Sequence, residues 1–310
     1  MNKPNKQPLI FNLDALFEEA NTPTSSLAPK LVRLLNAEAG ELEYRQFPDG
    51  ESYLRLLSQA AGRDCLLVCS LYNPNPRFLP LIFVAETLKE LGAKRVALVA
   101  PYLCYMRQDK RFKTGESITS RHFASLISRS FDFLITADPH LHRYQSLDEI
   151  YGIPSRVMSS VSSIAQWLQD NISQPLLLGP DSESEQWVAE VAKLAKAPFE
   201  ILKKVRSGDL DVAVSVPQVD AYKEHTPVLI DDIISSGRTL LSTLEHLKKA
   251  GMKPAVCIGT HGLFATKAWE LLKESHTKAV ITSNSVPHPS NALDLSPTLA
   301  KGLQEWLATS

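Results

Sequence analysis

Short apolar runs alternate with amphipathic stretches along most of the chain, which predicts βαβ units on a mainly parallel sheet. Residues 65–69, 96–99, 131–136, 176–178, 228–230, 256–258 and 279–282 are the expected strands. Most are short and apolar throughout, as strands covered on both faces must be. Residues 79–91, 183–195 and 239–250 have helical apolar spacing, and the breakers Gly92, Pro198 and Gly251 follow them, so they read as crossover helices. The order strand, helix, strand, helix runs once before and once after Tyr151-Gly152-Ile153-Pro154-Ser155, whose Gly and Pro mark a junction. Two similar α/β domains are therefore expected, residues 1–157 and 158–310. Residues 284–295, rich in Pro, Ser and Asn, are expected as loop, and a last helix near 299–307 is placed to pack back on the N-terminal domain.

With 310 residues and 44% hydrophobic composition, the chain can bury the cores of two ordinary domains. Its 33 basic and 34 acidic residues nearly cancel, so no global field favours nucleic acid or an anionic membrane, and any anion must be gripped locally. No run approaches the roughly 20 apolar residues of a membrane span. The opening MNKPNKQPLIFNLDALFEEA carries acids where a signal peptide is apolar, and the expected location is cytoplasmic. Cys65, Cys69, Cys104 and Cys257 form no CxxC pair and lie mostly in apolar runs, which suits reduced core thiols.

The chemistry concentrates after residues 228–230. There an apolar strand leads into Asp231 and Asp232, then a Ser235-Ser236-Gly237 turn, then Thr239 and an amphipathic helix. Ligands of open α/β sheets sit at the carboxyl ends of strands, and the N–H groups opening the next helix attract phosphate. Gly237 lets the backbone approach an anion closely, while the hydroxyls of Ser235, Ser236 and Thr239 can donate to it. Asp231 and Asp232 would repel phosphate, so they are better suited to sugar hydroxyls or a divalent cation. Ribose 5-phosphate offers both kinds of group. A plain Ser/Thr helix cap would explain Ser236 or Thr239 and leave the paired acids without a role. Neither GxxxxGK[ST] nor GxGxxG occurs to offer another nucleotide site.

The segment IDDIISSGRT (230–239) resembles the phosphoribosyl pyrophosphate loop shared by phosphoribosyltransferases and ribose-phosphate diphosphokinases. Phe47-Pro48-Asp49-Gly50-Glu51 resembles the FxDGE adenine loop of the diphosphokinases, and PYLCYMRQDKRFKTGESIT (101–119) resembles their ATP-binding PYxxYxRQD segment. Asp138-Pro139-His140, Gly179-Pro180-Asp181 and Thr260-His261-Gly262 match further family motifs, in the family's order from about residue 27 to the last helix. RQDKRFKxGE and Ser235 are closer to the archaeal-like branch, whereas Arg238 stands where Gly is usual.

The resemblance implies two phosphoribosyltransferase-like domains and transfer of the diphosphoryl group of ATP to ribose 5-phosphate. It implies catalysis by Lys204 and Arg206, with Gly208, Asp209 and Asp211 in an adjoining mobile hairpin, and contacts to ATP from Phe47, Asp49, Glu51, Arg107 and Gln108. Two Mg²⁺ ions are implied, one held by His140 and Asp181, the other with ribose 5-phosphate near Asp231 and Asp232. A homo-oligomer sharing the adenine site between subunits is implied as well. Each residue also has a plainer reading: Asp49-Gly50 as a turn signal, Lys204 and Arg206 as one face of a basic edge strand, His140 as a loop histidine. His142 has no assigned role. A phosphoribosyltransferase and an inactive regulatory paralogue are the alternative functions.

Overall fold

The computed structural model describes residues 7–17, 26–180, 184–202, 204–206, 212–214 and 219–309. They form two compact units, one comprising Met1–Ser159, Ser285–Pro287 and Leu295–Ser310, the other Ser160–Asn284 and His288–Asp294.

The first unit contains β1 (Leu9–Asn12), α1 (Leu27–Leu34), β2 (Glu38–Gly40), β3 (Leu42–Gln46), β4 (Ser52–Leu56), β5 (Asp64–Val68), α2 (Pro74–Glu90), β6 (Arg95–Ala100), α3 (Thr119–Ser130), β7 (Phe133–Ala137) and β8 (Ser155–Met158). Six of these strands form one parallel sheet in the order β2-β1-β5-β6-β7-β8, and β3 and β4 form a separate antiparallel hairpin. The second unit contains α4 (Val161–Asn171), β9 (Pro175–Gly179), α5 (Glu185–Ala195), β10 (Phe199–Ile201), β11 (Lys204–Arg206), β12 (Val212–Val214), β13 (Thr226–Ile234), α6 (Arg238–Lys249), β14 (Ala255–Gly262), α7 (Ala268–Glu274), β15 (Thr277–Ser283) and β16 (Asn291–Leu293). Its parallel sheet runs β10-β9-β13-β14-β15-β16, with β11 and β12 as an antiparallel pair. Each unit thus starts a sheet with two strands in reversed order, inserts a hairpin, and continues outward with four more strands.

Central strands are buried along nearly their whole length, β7 and β14 without exception, so both sheet faces need helices. On one face of the second sheet Leu177, Val228, Ile230, Val256 and Ile258 pack with Ile164 and Leu168 of α4 and Val188 and Val191 of α5. Leu178, Leu229 and Cys257 meet Leu240, Leu244 and Leu247 of α6 and Leu272 of α7 in the other cluster. The last helix, α8 (Ser296–Ala308), lies on the first sheet. Trp306 stacks on Phe133 at 5.1 Å and carries the Arg95 guanidinium at 4.0 Å, while Gly302 gives the helix room beside Ile135.

Several elements depart from the periodicity. The pattern predicts a helix from residue 79, but α2 begins at Pro74, because the first helical N–H groups have no intrahelical acceptor and proline costs little there. Ser155, expected at a junction, opens β8, which pairs with β7 on the first sheet. Part of 284–295, expected as loop, is the edge strand β16. Strand β13 runs on to Ile234 and takes Asp231 and Asp232 into the sheet, since β14 is long enough to pair Asp231 with Gly259 and Ile233 with His261. Among the described residues no helix is long and apolar enough to cross a membrane.

Candidate active site

Strand β13 delivers the half-buried carboxylates of Asp231 and Asp232 at its carboxyl end, and Ser235, Ser236 and Gly237 connect it to α6. Gly237 is the N-cap at φ +67°, a left-handed conformation that costs glycine little, and its carbonyl accepts the Leu241 N–H at 2.9 Å. No side-chain cap hydrogen bond is made at this helix start, so the plain Ser/Thr cap is not what the loop forms. Thr239 lies in the first turn and Arg238, exposed, opens it. The loop rests on Ile234, whose carbonyl accepts the N–H groups of Leu263 (2.9 Å) and Phe264 (3.0 Å). Phe264, itself at φ +43°, packs against Trp269 and His288. These supporting residues carry no sequence signal beyond ordinary apolar character.

At the corresponding strand ends of the first unit the crevice is filled from within. Asp14, just past β1, accepts the Ser70 N–H at 2.9 Å just past β5, and pairs with Arg77 Nη1 at 3.2 Å. Both side chains are buried, and the guanidinium is sandwiched between Tyr72 at 4.0 Å and Phe17 at 4.7 Å. The two units share a strand order, but this crevice of the first is closed by its own ion pair.

Phe47, Asp49 and Glu51 form the turn between β3 and β4. Phe47 N–H donates to the Glu51 carbonyl (2.8 Å), Gly50 N–H to that of Phe47 (2.9 Å), and Glu51 N–H to the Asp49 carboxylate (3.2 Å). Asp49 therefore shapes the turn. Phe47 is 38% exposed, and the Arg45 guanidinium lies 4.4 Å from both its ring and that of Tyr53. Arg107 is exposed, while Gln108 receives the Thr119 hydroxyl at 3.2 Å.

Asp138, at φ +34°, precedes His140, and His142 Nε2 lies 3.2 Å from His140 Nδ1 with ring centroids 3.7 Å apart. Asp181, Gly208, Asp209 and Asp211 lie outside the described residues. Lys204 and Arg206 both lie on β11, opposite Val214 and Val212 of β12. His261 is buried within β14, and Thr260 bonds Ser160 at 2.8 Å, so that motif is part of the core. All four cysteines are buried and unpaired, and burial pushes the Cys65 and Cys257 thiols up to about 12. They stay protonated at neutral pH and unsuited to nucleophilic work.

Residues 18–130 match the family model for the N-terminal domain of ribose phosphate pyrophosphokinase, and residues 146–296 match that for the phosphoribosyl transferase domain. The chain belongs to the ribose-phosphate pyrophosphokinase family. Ribose-phosphate pyrophosphokinase of Methanobrevibacter smithii is 30% identical over 91% of this chain and 98% of its own length. That of Sulfurisphaera tokodaii is 28% identical over 90% and 97%. A crystal structure of phosphoribosylpyrophosphate synthetase from Mycobacterium smegmatis, 23% identical, covers 98% of this chain and 100% of its own with a TM-score of 0.82, and so shares its fold. Membership of the pyrophosphokinase family bears out the two phosphoribosyltransferase-like domains.

Proposed function

We propose that this pyrophosphokinase moves the β,γ-diphosphoryl group of ATP to the anomeric hydroxyl of ribose 5-phosphate, releasing AMP and forming phosphoribosyl pyrophosphate. The β13–α6 junction carries this reading for the acceptor. Two carboxylates end a strand, and a left-handed glycine then opens a 12-residue helix. The 5-phosphate takes the N–H groups at the start of α6 with the hydroxyls of Ser235, Ser236 and Thr239, and Asp231 and Asp232 accept from the ribose hydroxyls.

The anomeric oxygen attacks the β-phosphorus, the bond from that phosphorus to the α-phosphate oxygen breaks, and the hydroxyl proton is lost. Such transfer depends on in-line placement and on positive charge where phosphoryl oxygens gain density. We assign that charge to Lys204 and Arg206, and binding of the ATP phosphates to Arg107 and Gln108. Phe47, with Asp49 and Glu51 behind it, offers adenine an exposed ring. The family resemblance implies that this loop serves an adenine site shared with a second copy, and the exposed Phe47 ring suits that reading, so we assign a homo-oligomer whose isolated subunit is inactive.

Mg²⁺ bound here would neutralise phosphate oxygens and polarise the reacting phosphorus. The oxygen donors of Asp231 and Asp232 fit such a cation together with substrate oxygens. His140 is a poorer donor for a hard ion and needs Asp181 beside it; among the described residues no three His, Cys, Asp or Glu side chains converge. Two ions, one at each place, are our assignment. Buried protonated thiols and the lack of a membrane-crossing helix among the described residues suit the cytoplasm.

The test is AMP release by the purified chain with ATP, Mg²⁺ and ribose 5-phosphate. No AMP at saturating substrates overturns the reading, and pyrophosphate release from phosphoribosyl pyrophosphate with a base would replace it by a phosphoribosyltransferase.

A further inference from the structure

Asp109 follows Arg107 and Gln108 directly, yet it is buried, with only 3% of its side chain exposed. Its partner is Arg143, three residues past His140, whose Nη1 donates to both carboxylate oxygens, at 2.8 and 3.0 Å. The next residue, Tyr144, is buried too, and its hydroxyl donates to the Asp109 carbonyl at 3.3 Å and lies 3.2 Å from Ser120 Oγ. Ser120 in turn donates its N–H to the Gln108 carbonyl at 3.4 Å. The segment 107–109 is thus pinned from two sides, by the start of α3 and by the loop that carries His140. The Arg143 side chain is 43% exposed, so its charge is only half withdrawn from water while that of Asp109 is almost wholly withdrawn.

We propose that Arg143 is a positioning residue for the nucleotide: through Asp109 it fixes the backbone from which Arg107 and Gln108 reach ATP, and ties that backbone to the His140 loop. This rests on the reading of Arg107 and Gln108 as ATP contacts. The physical case is that an acid withdrawn from water needs its cation. The two hydrogen bonds from Arg143 are also one of the two anchors of this backbone, so without them residues 107–109 shift whether or not residue 109 is charged, and a charged Asp109 in addition costs stability. A displacement of about 1 Å in a positioning group can cost on the order of a hundredfold in rate. The ion pair joins residues 34 apart in sequence, so losing it loosens two loops at once.

The experiment compares the unmutated chain with Arg143→Met, Asp109→Asn and the double variant. It measures ATP affinity by calorimetry, KM for each substrate, and Tm. Arg143→Met is expected to weaken ATP binding and raise its KM by about tenfold or more, with KM for ribose 5-phosphate within about twofold of the parent. The double variant has no buried unpaired acid, so it recovers Tm but still binds ATP weakly. A double variant that recovers ATP affinity along with Tm, or an Arg143→Met that loses Tm alone, overturns the proposal and leaves a purely structural ion pair. If Arg143→Met does not fold, Asp109→Asn and the double variant decide the matter by the same criteria. Failure of the unmutated chain to bind ATP would overturn the ATP reading itself, and it is told apart by appearing without any substitution.

Discussion

Ile234 lies directly over Gly259: a methyl group on that glycine would stand 2.6 Å from Ile234 Cγ1. Ile234 is the last residue of β13, and Ser235 of the β13–α6 loop follows it, so the missing side chain at position 259 sets where the loop begins. Gly259→Ala forces Ile234 upward or pushes the two strands apart. Overpacking of this kind costs about 1–3 kcal/mol. The expected result is a Tm lowered by several degrees and a KM for ribose 5-phosphate raised about tenfold, with KM for ATP unchanged. Thermal melts and steady-state kinetics check both halves. An unchanged KM for ribose 5-phosphate would mean that the loop tolerates the shift.

Most interior strands could be read from the chain because burial on two faces leaves them few polar positions, as in β5 after Asp64, β9 and the apolar first half of β14, whereas β1, interior to the first sheet, was not among the expected strands. Edge strands could not. Ser155–Met158 and Asn291–Leu293 are three or four residues long with polar positions among them, and only their neighbours β7 and β15 make them strands. The start of α2 was hidden by Pro74, Pro76 and Pro80, which look like breakers and are mostly placed where the helix makes few bonds. The strand–loop–helix arrangement of β13 and α6 was readable because strand, acids, glycine and helix are consecutive. What holds it was not: Gly259 and Phe264 meet Ile234 only after folding, and Asp109 meets Arg143 across 34 residues of chain.

His288 makes stability depend on pH. Burial pulls its imidazole down to about 4, with Glu270 acting weakly in the opposite sense. The Ser290 N–H donates to Nδ1 at 3.2 Å, and the Ser290 hydroxyl is 2.7 Å from the same nitrogen, so the folded chain holds the ring neutral with its proton on Nε2. The unfolded chain takes up a proton near the ordinary value of about 6.5, which the folded chain does not. Stability from this group is therefore complete above about pH 6.5 and falls as pH drops toward 4. In melts across that range, His288→Gln should show a shallower decline of Tm than the parent. Parallel curves would show that the ring titrates alike in both states.

On the proposed reading, Lys204 bears on the chemical step. Removing one preorganised positive group from a phosphoryl-transfer site costs on the order of 10²–10³ in turnover. Lys204→Ala should lose that much in kcat while KM for ATP moves far less, because the charge is needed most where the β-phosphoryl oxygens gain density. Rapid-quench measurement of AMP formation reads the step directly. Turnover within a few fold of the parent removes Lys204 from the mechanism.

Arg238 stands where the phosphoribosyl pyrophosphate loop that this segment resembles has glycine, and it opens α6 exposed and one residue past the left-handed Gly237. A cation at a helix N-terminus is mildly unfavourable, by about 0.3–1 kcal/mol, so Arg238→Gly should leave Tm nearly unchanged. Toward the substrate the sign reverses. A unit charge within roughly 5 Å of a phosphate in watery surroundings is worth on the order of 1 kcal/mol, about fivefold in affinity. The variant should therefore raise KM for ribose 5-phosphate several fold with kcat preserved, and the difference from the parent should shrink as salt is added, because exposed charges are screened. A difference that persists at high salt would point to loop geometry as the cause, since glycine relaxes the first turn whatever the ionic strength.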